Sequence, residues 1–176
     1  MAQLTTVAVD ANFLICAINS KQDSDDHRRA VYLLERLEKG RGKLIIPMPS
    51  FAEYLVRADV AGVEIANGFE RKSFVQVAPF DRAAAFECAQ MDAAALGRGD
   101  KRDGSSESWQ RVKVDRQIVA IAKSLGAELI VTSDGGVRAC ALRVGMNSIS
   151  IQELPFPDQL RQGALKLKVA GKKPGS

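Results

Sequence analysis

Histidine is almost missing from this 176-residue chain: His27 is the only one. Metal sites built on several imidazoles are therefore excluded, and any chemistry must rest mainly on carboxylates. Cysteine is scarce as well. Cys16, Cys88 and Cys140 are odd in number and widely spaced, which gives neither a disulfide framework nor a zinc pattern and fits a reducing cytoplasm. Long hydrophobic runs are lacking, since Phe13 to Ile18 and Leu44 to Ile46 are far too short to cross a bilayer. The first residues, Met-Ala-Gln-Leu-Thr-Thr, hold no basic region followed by an apolar stretch, so no secretion signal is expected. What is present is the balance of a soluble globular protein, 46% hydrophobic and 26% charged, on a chain long enough for one domain with a real core.

The formal net charge of +4 resembles a nucleic-acid footprint until it is located. Five of the 25 basic residues (Arg161, Lys166, Lys168, Lys172 and Lys173) fall within 159–176, where there is no acid. The remaining 20 bases face all 21 acids, so residues 1–158 carry −1. The body is neutral and the tail basic. Residues 1–155 are expected to form the domain and 156–176 a flexible basic tail, either a solubilising end or a mobile arm for RNA.

Along the body, β-branched and apolar segments alternate with helical patterns. Thr5 to Asp10, Lys43 to Pro47, Ser73 to Val77, Glu128 to Thr132 and Asn147 to Ile151 read as strands. Between them lie a short helix through Phe13 to Ile18 that Asn12 can cap, and a helix opened by Ser24-Asp-Asp whose left-handed cap is expected at Gly40. Further helices are expected from Ser50 to about Ala61, from Asp81 to Gly97, over the stretch ending at Gly126, and from Val137 to Val144. Gly97 to Ser108 has no apolar residue and reads as an exposed flexible loop. Strands alternating with helices indicate an α/β domain on a parallel sheet, whose ligands bind beyond the carboxyl ends of the strands.

Four acids fall at that edge. Asp10 ends the first strand, Asp134 follows the fourth, Glu53 lies in the first turn of the helix after the second strand, and Asp115 precedes the core-facing Ile118. Clustered carboxylates repel one another unless a cation neutralises them or some are protonated. Oxygen-only ligands favour Mg²⁺ or Mn²⁺, ions that activate water and stabilise charge on a phosphodiester. Each acid has a structural alternative. Ser50-Phe-Ala-Glu53 is a capping box, Asp115 could oppose a helix dipole, and Asp134 before Gly135-Gly136 could be a turn residue. Asp10 is hardest to explain this way, because an acid ending an apolar strand needs a partner.

The segments Val9-Asp10-Ala11-Asn12-Phe13-Leu14-Ile15, Pro49-Ser50-Phe51-Ala52-Glu53-Tyr54-Leu55, Val114-Asp115-Arg116-Gln117-Ile118-Val119-Ala120-Ile121-Ala122 and Val131-Thr132-Ser133-Asp134 together resemble the PIN-domain (PilT N-terminal) nucleases, the fold of VapC-type toxins. The resemblance covers residues 5–152. It implies a three-layer α/β/α fold with a five-stranded parallel sheet and Mg²⁺- or Mn²⁺-dependent endonucleolytic cleavage of RNA. By carry-over Asp10, Glu53, Asp115 and Asp134 hold the metal, with Asn12 and Thr132 as assisting polar residues. A homodimer and a small antitoxin that covers the cleft are also implied. Gly135-Gly136, in place of the charged and aromatic residues usual after the last Asp, the long loop at 97–108 and the extension after 158 depart from the family pattern.

Asp23, Asp25, Asp26 and His27 read as an acidic helix N-terminus rather than a second metal site. Trp109 either stacks on a base or anchors the adjacent loop. Arg57, Arg111, Lys113, Arg116 and Arg138 lie near the four acids, as phosphate contacts or as a solvated face. A catalytically silent PIN-like module that binds RNA or protein is the alternative function. A receiver-type phosphoacceptor would need an acid pair after the first strand, and a haloacid-dehalogenase-like phosphatase Asp-x-Asp where Asp10-Ala11-Asn12 stands.

Overall fold

The computed structural model describes residues 5–18 and 24–156, so the basic tail and Asp23 lie outside the described residues. The elements run β1 (Thr6–Val9), α1 (Ala11–Ile18), α2 (Asp25–Lys39), β2 (Lys43–Pro47), α3 (Met48–Arg57), α4 (Val60–Glu70) and β3 (Val75–Ala78). They continue through α5 (Arg82–Gly97), α6 (Trp109–Ser124), β4 (Leu129–Val131), α7 (Gly135–Arg143) and β5 (Asn147–Ile149) to a 3-10 turn, Ile151–Glu153.

The five strands are all parallel, in the order β3-β2-β1-β4-β5. Side chains on a strand alternate between faces, and here the alternation sorts the core into two halves. Val7, Val9, Leu44, Ile46, Leu129 and Val131 pack under the layer formed by α1 to α4. Ala8, Ile45 and Ile130 face the other way, against α5, α6 and α7. The result is the expected three-layer α/β/α sandwich. Because β1, β2 and β4 are covered on both faces, they are apolar without a polar alternation.

From β1 the chain moves outward to β2 and β3, then returns through α5 and α6 to pair β4 with the free side of β1. That reversal makes the gap between the carboxyl ends of β1 and β4 the topological switch point, where a crevice opens. Asp10 follows β1 directly and Thr132 to Asp134 follow β4, so the sheet itself delivers them to one place.

Several local expectations are corrected. Asn12 does not cap α1; the Asp10 carboxylate does, accepting from the Phe13 amide at 2.9 Å. Gly40 has φ −83°, and the left-handed residue is Arg41 at φ 54°, one position later. The helix expected from Ser50 begins at Met48 and ends at Arg57. Ala58 is extended, and Asp59 starts the separate α4 by accepting from the Gly62 amide at 2.8 Å. Two glycines and exposed Val60 and Ile65 blurred the helical pattern there. The last strand stops at Ile149, after which Ser150 and Glu153 form a capping box for the 3-10 turn.

The loop between α5 and α6 is built rather than loose. The Asp103 carboxylate receives both arms of Arg98 at 2.8 Å and Nε of Arg143 at 3.0 Å, while its carbonyl accepts from Arg143 at 2.6 Å. Asp100 accepts from the amides of Arg102 and Gly104, at 2.9 and 2.8 Å. Arg116 is buried beneath, bonded to Asp92 at 2.5 Å and the Lys101 carbonyl at 2.7 Å, and the Trp109 ring packs against Arg116 and Lys101. The anchoring reading of Trp109 is the one the contacts describe. Asp103→Ala removes the acceptor that joins Arg98 to Arg143, so tryptic cleavage after Lys101 and Arg102 is expected to become several-fold faster with the core intact. Unchanged cutting rates in a timed digest would show that the network does not hold the loop.

Candidate functional site at the switch point

Thr132 is fully buried, and its hydroxyl makes one hydrogen bond to the β1 side of the crevice and one within its own segment. Its hydroxyl donates to Asp10 Oδ2 at 2.6 Å and accepts from the Asp134 amide at 3.0 Å. The other Asp10 oxygen takes the Phe13 amide, so this carboxylate is fixed at both ends and only 6% exposed. Burial pushes the Asp10 carboxyl up from its ordinary value, and the Asp134 charge adds to this. The hydrogen bonds from Thr132 and Phe13 work in the opposite direction.

Asp134 caps α7: its Oδ1 accepts from the amides of Gly136 at 2.8 Å and Val137 at 3.1 Å. Its Oδ2 is taken by Nη2 of Arg111. Partial burial opposes ionisation, but the two amides and the guanidinium outweigh it and hold the Asp134 carboxyl below its ordinary value.

Asp115 comes from α6 and is 4% exposed. Its nearest charge partner is Arg111, one helical turn earlier, with Nε 3.6 Å from Oδ1. Burial raises its carboxyl to about 6, and the charges of Asp134, Glu107 and Glu53 add to the shift against the pull of Arg111. On its other side α7 comes so near that a Cβ on Gly136 would lie 2.1 Å from Asp115 Oδ2. The departure at Gly135-Gly136 therefore has a steric basis: the second glycine lets the two helices close on this carboxylate.

Glu53 lies on α3 at the rim, half-exposed and paired with Arg57 at 3.2 Å. The capping-box explanation for it fails, because α3 begins before Ser50. The Ser50 hydroxyl is buried without a hydrogen-bond partner among the described residues. Asn12 is exposed on the first turn of α1. Among the described residues no three His, Cys, Asp or Glu side chains converge closely enough to hold one ion as they stand. What stands between Asp115 and Asp134 instead is a guanidinium.

Of the basic residues expected near the acids, Arg57 and Arg111 lie against them and the others are placed differently. Arg116 is buried in the cleft wall, its two terminal nitrogens engaged by Asp92 and the Lys101 carbonyl. Arg57 faces Glu53, and Arg138 lies 3.5 Å from Glu153. Lys113 is exposed but does not line the crevice. A cleft of about 880 Å³ runs from Asp115 and Asp134 along the ordered loop, and its arginines are Arg98, Arg102, Arg111, Arg116 and Arg143. Three of these were missed in sequence because they come from the loop and the far end of α7. The loop acid Glu107 also lines the cleft and was missed for the same reason.

The donor set suits a hard divalent ion. It consists of carboxylate oxygens with one buried hydroxyl between them, and burial above all pushes two of the carboxyls, Asp10 and Asp115, up from their ordinary values.

The PIN domain family model matches residues 7–142. No curated protein sequence matches the chain. Among solved structures, a chain of VapBC2 from Rickettsia felis, bound to a DNA fragment from its promoter, is similar at TM-score 0.57 and 16% identity. That likeness covers 83% of this chain and 98% of the other. A chain of DNA-bound VapBC from Salmonella typhimurium gives a TM-score of 0.54 at 19% identity, covering 84% and 99%. At such identities the likeness is one of fold. With the family model matched over most of its length and a five-stranded parallel sheet that gathers acids at its switch point, the chain belongs to the PIN domain family.

Proposed function

We propose that this protein is a divalent-metal-dependent endoribonuclease that hydrolyses RNA phosphodiester bonds, acting as the toxin of a toxin–antitoxin pair in the cytoplasm. The observation that carries the reading is the linkage of Asp10 and Asp134 through one buried threonine hydroxyl, beside Asp115, at the crevice of the sheet. Family membership supports it, and the two VapBC assemblies among the structural neighbours support an antitoxin partner. That this partner covers the cleft and that the chain forms a homodimer belong to the same reading.

In this reading Asp10, Glu53, Asp115 and Asp134 hold Mg²⁺ or Mn²⁺, with Asn12 and Thr132 assisting. The bound ion would lower the pKa of a water and neutralise charge building on the phosphate. The chain's own part is positional. Thr132 sets the spacing of Asp10 and Asp134, the amides of Phe13, Gly136 and Val137 fix which oxygens face the crevice, and a carboxylate there can take the proton of the attacking water. The cleft arginines offer positive charge to the phosphates of a single strand. The domain of residues 1–155 would carry the chemistry, and the basic tail from 156 would add affinity without specificity.

Purified protein incubated with end-labelled single-stranded RNA is expected to cut it with Mn²⁺ or Mg²⁺ and not with chelator. Asp10→Asn and Asp134→Asn should each slow cutting roughly 10²–10⁴-fold. No cleavage of any RNA would favour a silent binding module, and cleavage that survives both substitutions would trace the activity to a contaminant.

A further inference from the structure

Asp134 has a single oxygen to offer a cation, because Oδ1 is committed to the amides of Gly136 and Val137. Arg111 occupies the remaining one. The same guanidinium faces Asp115 Oδ1, so it stands where an ion shared by these two carboxylates would stand. Its position on α6 is costly. Ser108 caps the helix and Arg111 is the third residue after it, where the helix dipole repels a cation and where a capping box would place an acid. The two carboxylates are the observable reason for a cation there. The side chain also has room to leave, being 48% exposed at the wall of the 880 Å³ cleft. Arg116, five residues along the same helix, shows the contrast: it is 5% exposed and doubly bound.

We propose that the Arg111 guanidinium and a divalent cation are alternative occupants of the gap between Asp115 and Asp134, so that Arg111 sets the ion concentration at which the site loads. This rests on the metal-site reading above. In the ion-free protein Arg111 screens two neighbouring carboxylates that would otherwise repel, and loading swings it out into the cleft. The apparent affinity for the ion is then lower than the bare carboxylates would give, by the population in which Arg111 stays bound.

Titration calorimetry with MnCl₂ on the full chain tests this without any substrate. Arg111→Gln should bind Mn²⁺ roughly 10-fold more tightly than the unsubstituted protein. Arg111→Lys keeps the charge but loses the fork, and should fall between them. Mn²⁺ binding that is equal or weaker in Arg111→Gln would overturn the competition while leaving the metal site standing. A lysine variant as tight as the glutamine one would overturn it too, because charge would then not be what competes. If none of the three proteins binds Mn²⁺, the metal-site reading fails and the proposal with it. Matching unfolding curves confirm that the substitutions at this half-exposed position leave the fold in place.

Discussion

Gly136→Ala is expected to lower RNA cleavage by at least about 10-fold and to cost roughly 1–3 kcal/mol of stability, although alanine is the better helix residue. On propensity alone the change in the first turn of α7 would gain up to about 1 kcal/mol. No positive φ stands in the way, so the backbone accepts a side chain. Sterics decide the sign. The new methyl would sit 2.1 Å from Asp115 Oδ2 and 3.2 Å from Asp134 Oδ1. A carboxylate that is 4% exposed on a packed helix has little space to retreat into. Either Asp115 turns away, or α7 lifts and weakens the amide bonds to Asp134. Gly135→Ala is the matched control, since nothing lies within 4 Å of its added Cβ. It should be neutral or slightly stabilising, with cleavage unchanged. Equal behaviour of the two variants in thermal melts and cleavage assays would remove the close approach as the reason for glycine at 136.

How much of this was legible in the sequence differs by scale. The three central strands read clearly because the apolar runs of β1, β2 and β4 are buried on both faces, which leaves an unbroken signal. The edge strands β3 and β5 were found with shifted ends. Asp10 stood out because an acid ending such a run is expensive without a partner, and Glu53, Asp115 and Asp134 because they fall at the same edge of the sheet. What failed were decisions between neighbouring residues. Asp10 and Asn12 are both good caps, and only the burial of Asp10 decides between them. The loop at 97–108 looked loose because it has no apolar residue, yet charge pairs and a tryptophan hold it, and pairing between distant residues such as Asp103 and Arg143 leaves no periodic trace. Arg111 was visible as a base near the acids, but its double contact needs Asp134, 23 positions away, brought in by β4. The one readable hint was a cation in the first turn of a helix.

The loop also changes the meaning of the charge. The body sums to −1, and the acids of the crevice would repel RNA on their own. The ordered loop sets Arg98 and Arg102, with Arg143 from α7, along the cleft that leaves those acids. Repulsion at the centre and attraction along the wall can coexist, because screening confines each to about 8–10 Å at ordinary salt. Folding thus makes local what the overall charge of the chain averages away.

Asp115→Asn is expected to separate stability from activity more sharply than any other single change. In ion-free buffer the Asp115 carboxyl titrates at about 6 against an ordinary 3.8, chiefly because burial disfavours its charge. A folded value above the unfolded one means that the folded state holds the proton more tightly. The stabilisation from that proton is complete below about pH 3.8 and is lost as the pH rises to about 6. Above that window the ionised side chain costs the fold up to about 3 kcal/mol. Asparagine has nearly the same shape and no charge, so the variant should unfold at a higher temperature than the unsubstituted protein at pH 7.5. The gap should shrink towards pH 4. Asp134, whose value is lowered, has the opposite sign, but its loss comes as the pH falls below its ordinary value and so lies outside the window. Ion-dependent cleavage by the same variant should fall roughly 10²–10⁴-fold, and added Mn²⁺ should stabilise it less than it stabilises the parent. Thermal melts at pH 4, 6 and 7.5, with and without Mn²⁺, read all three effects. If the variant is less stable at pH 7.5 without ions, Asp115 is held by favourable contacts of its own and is not a charge kept for a ligand.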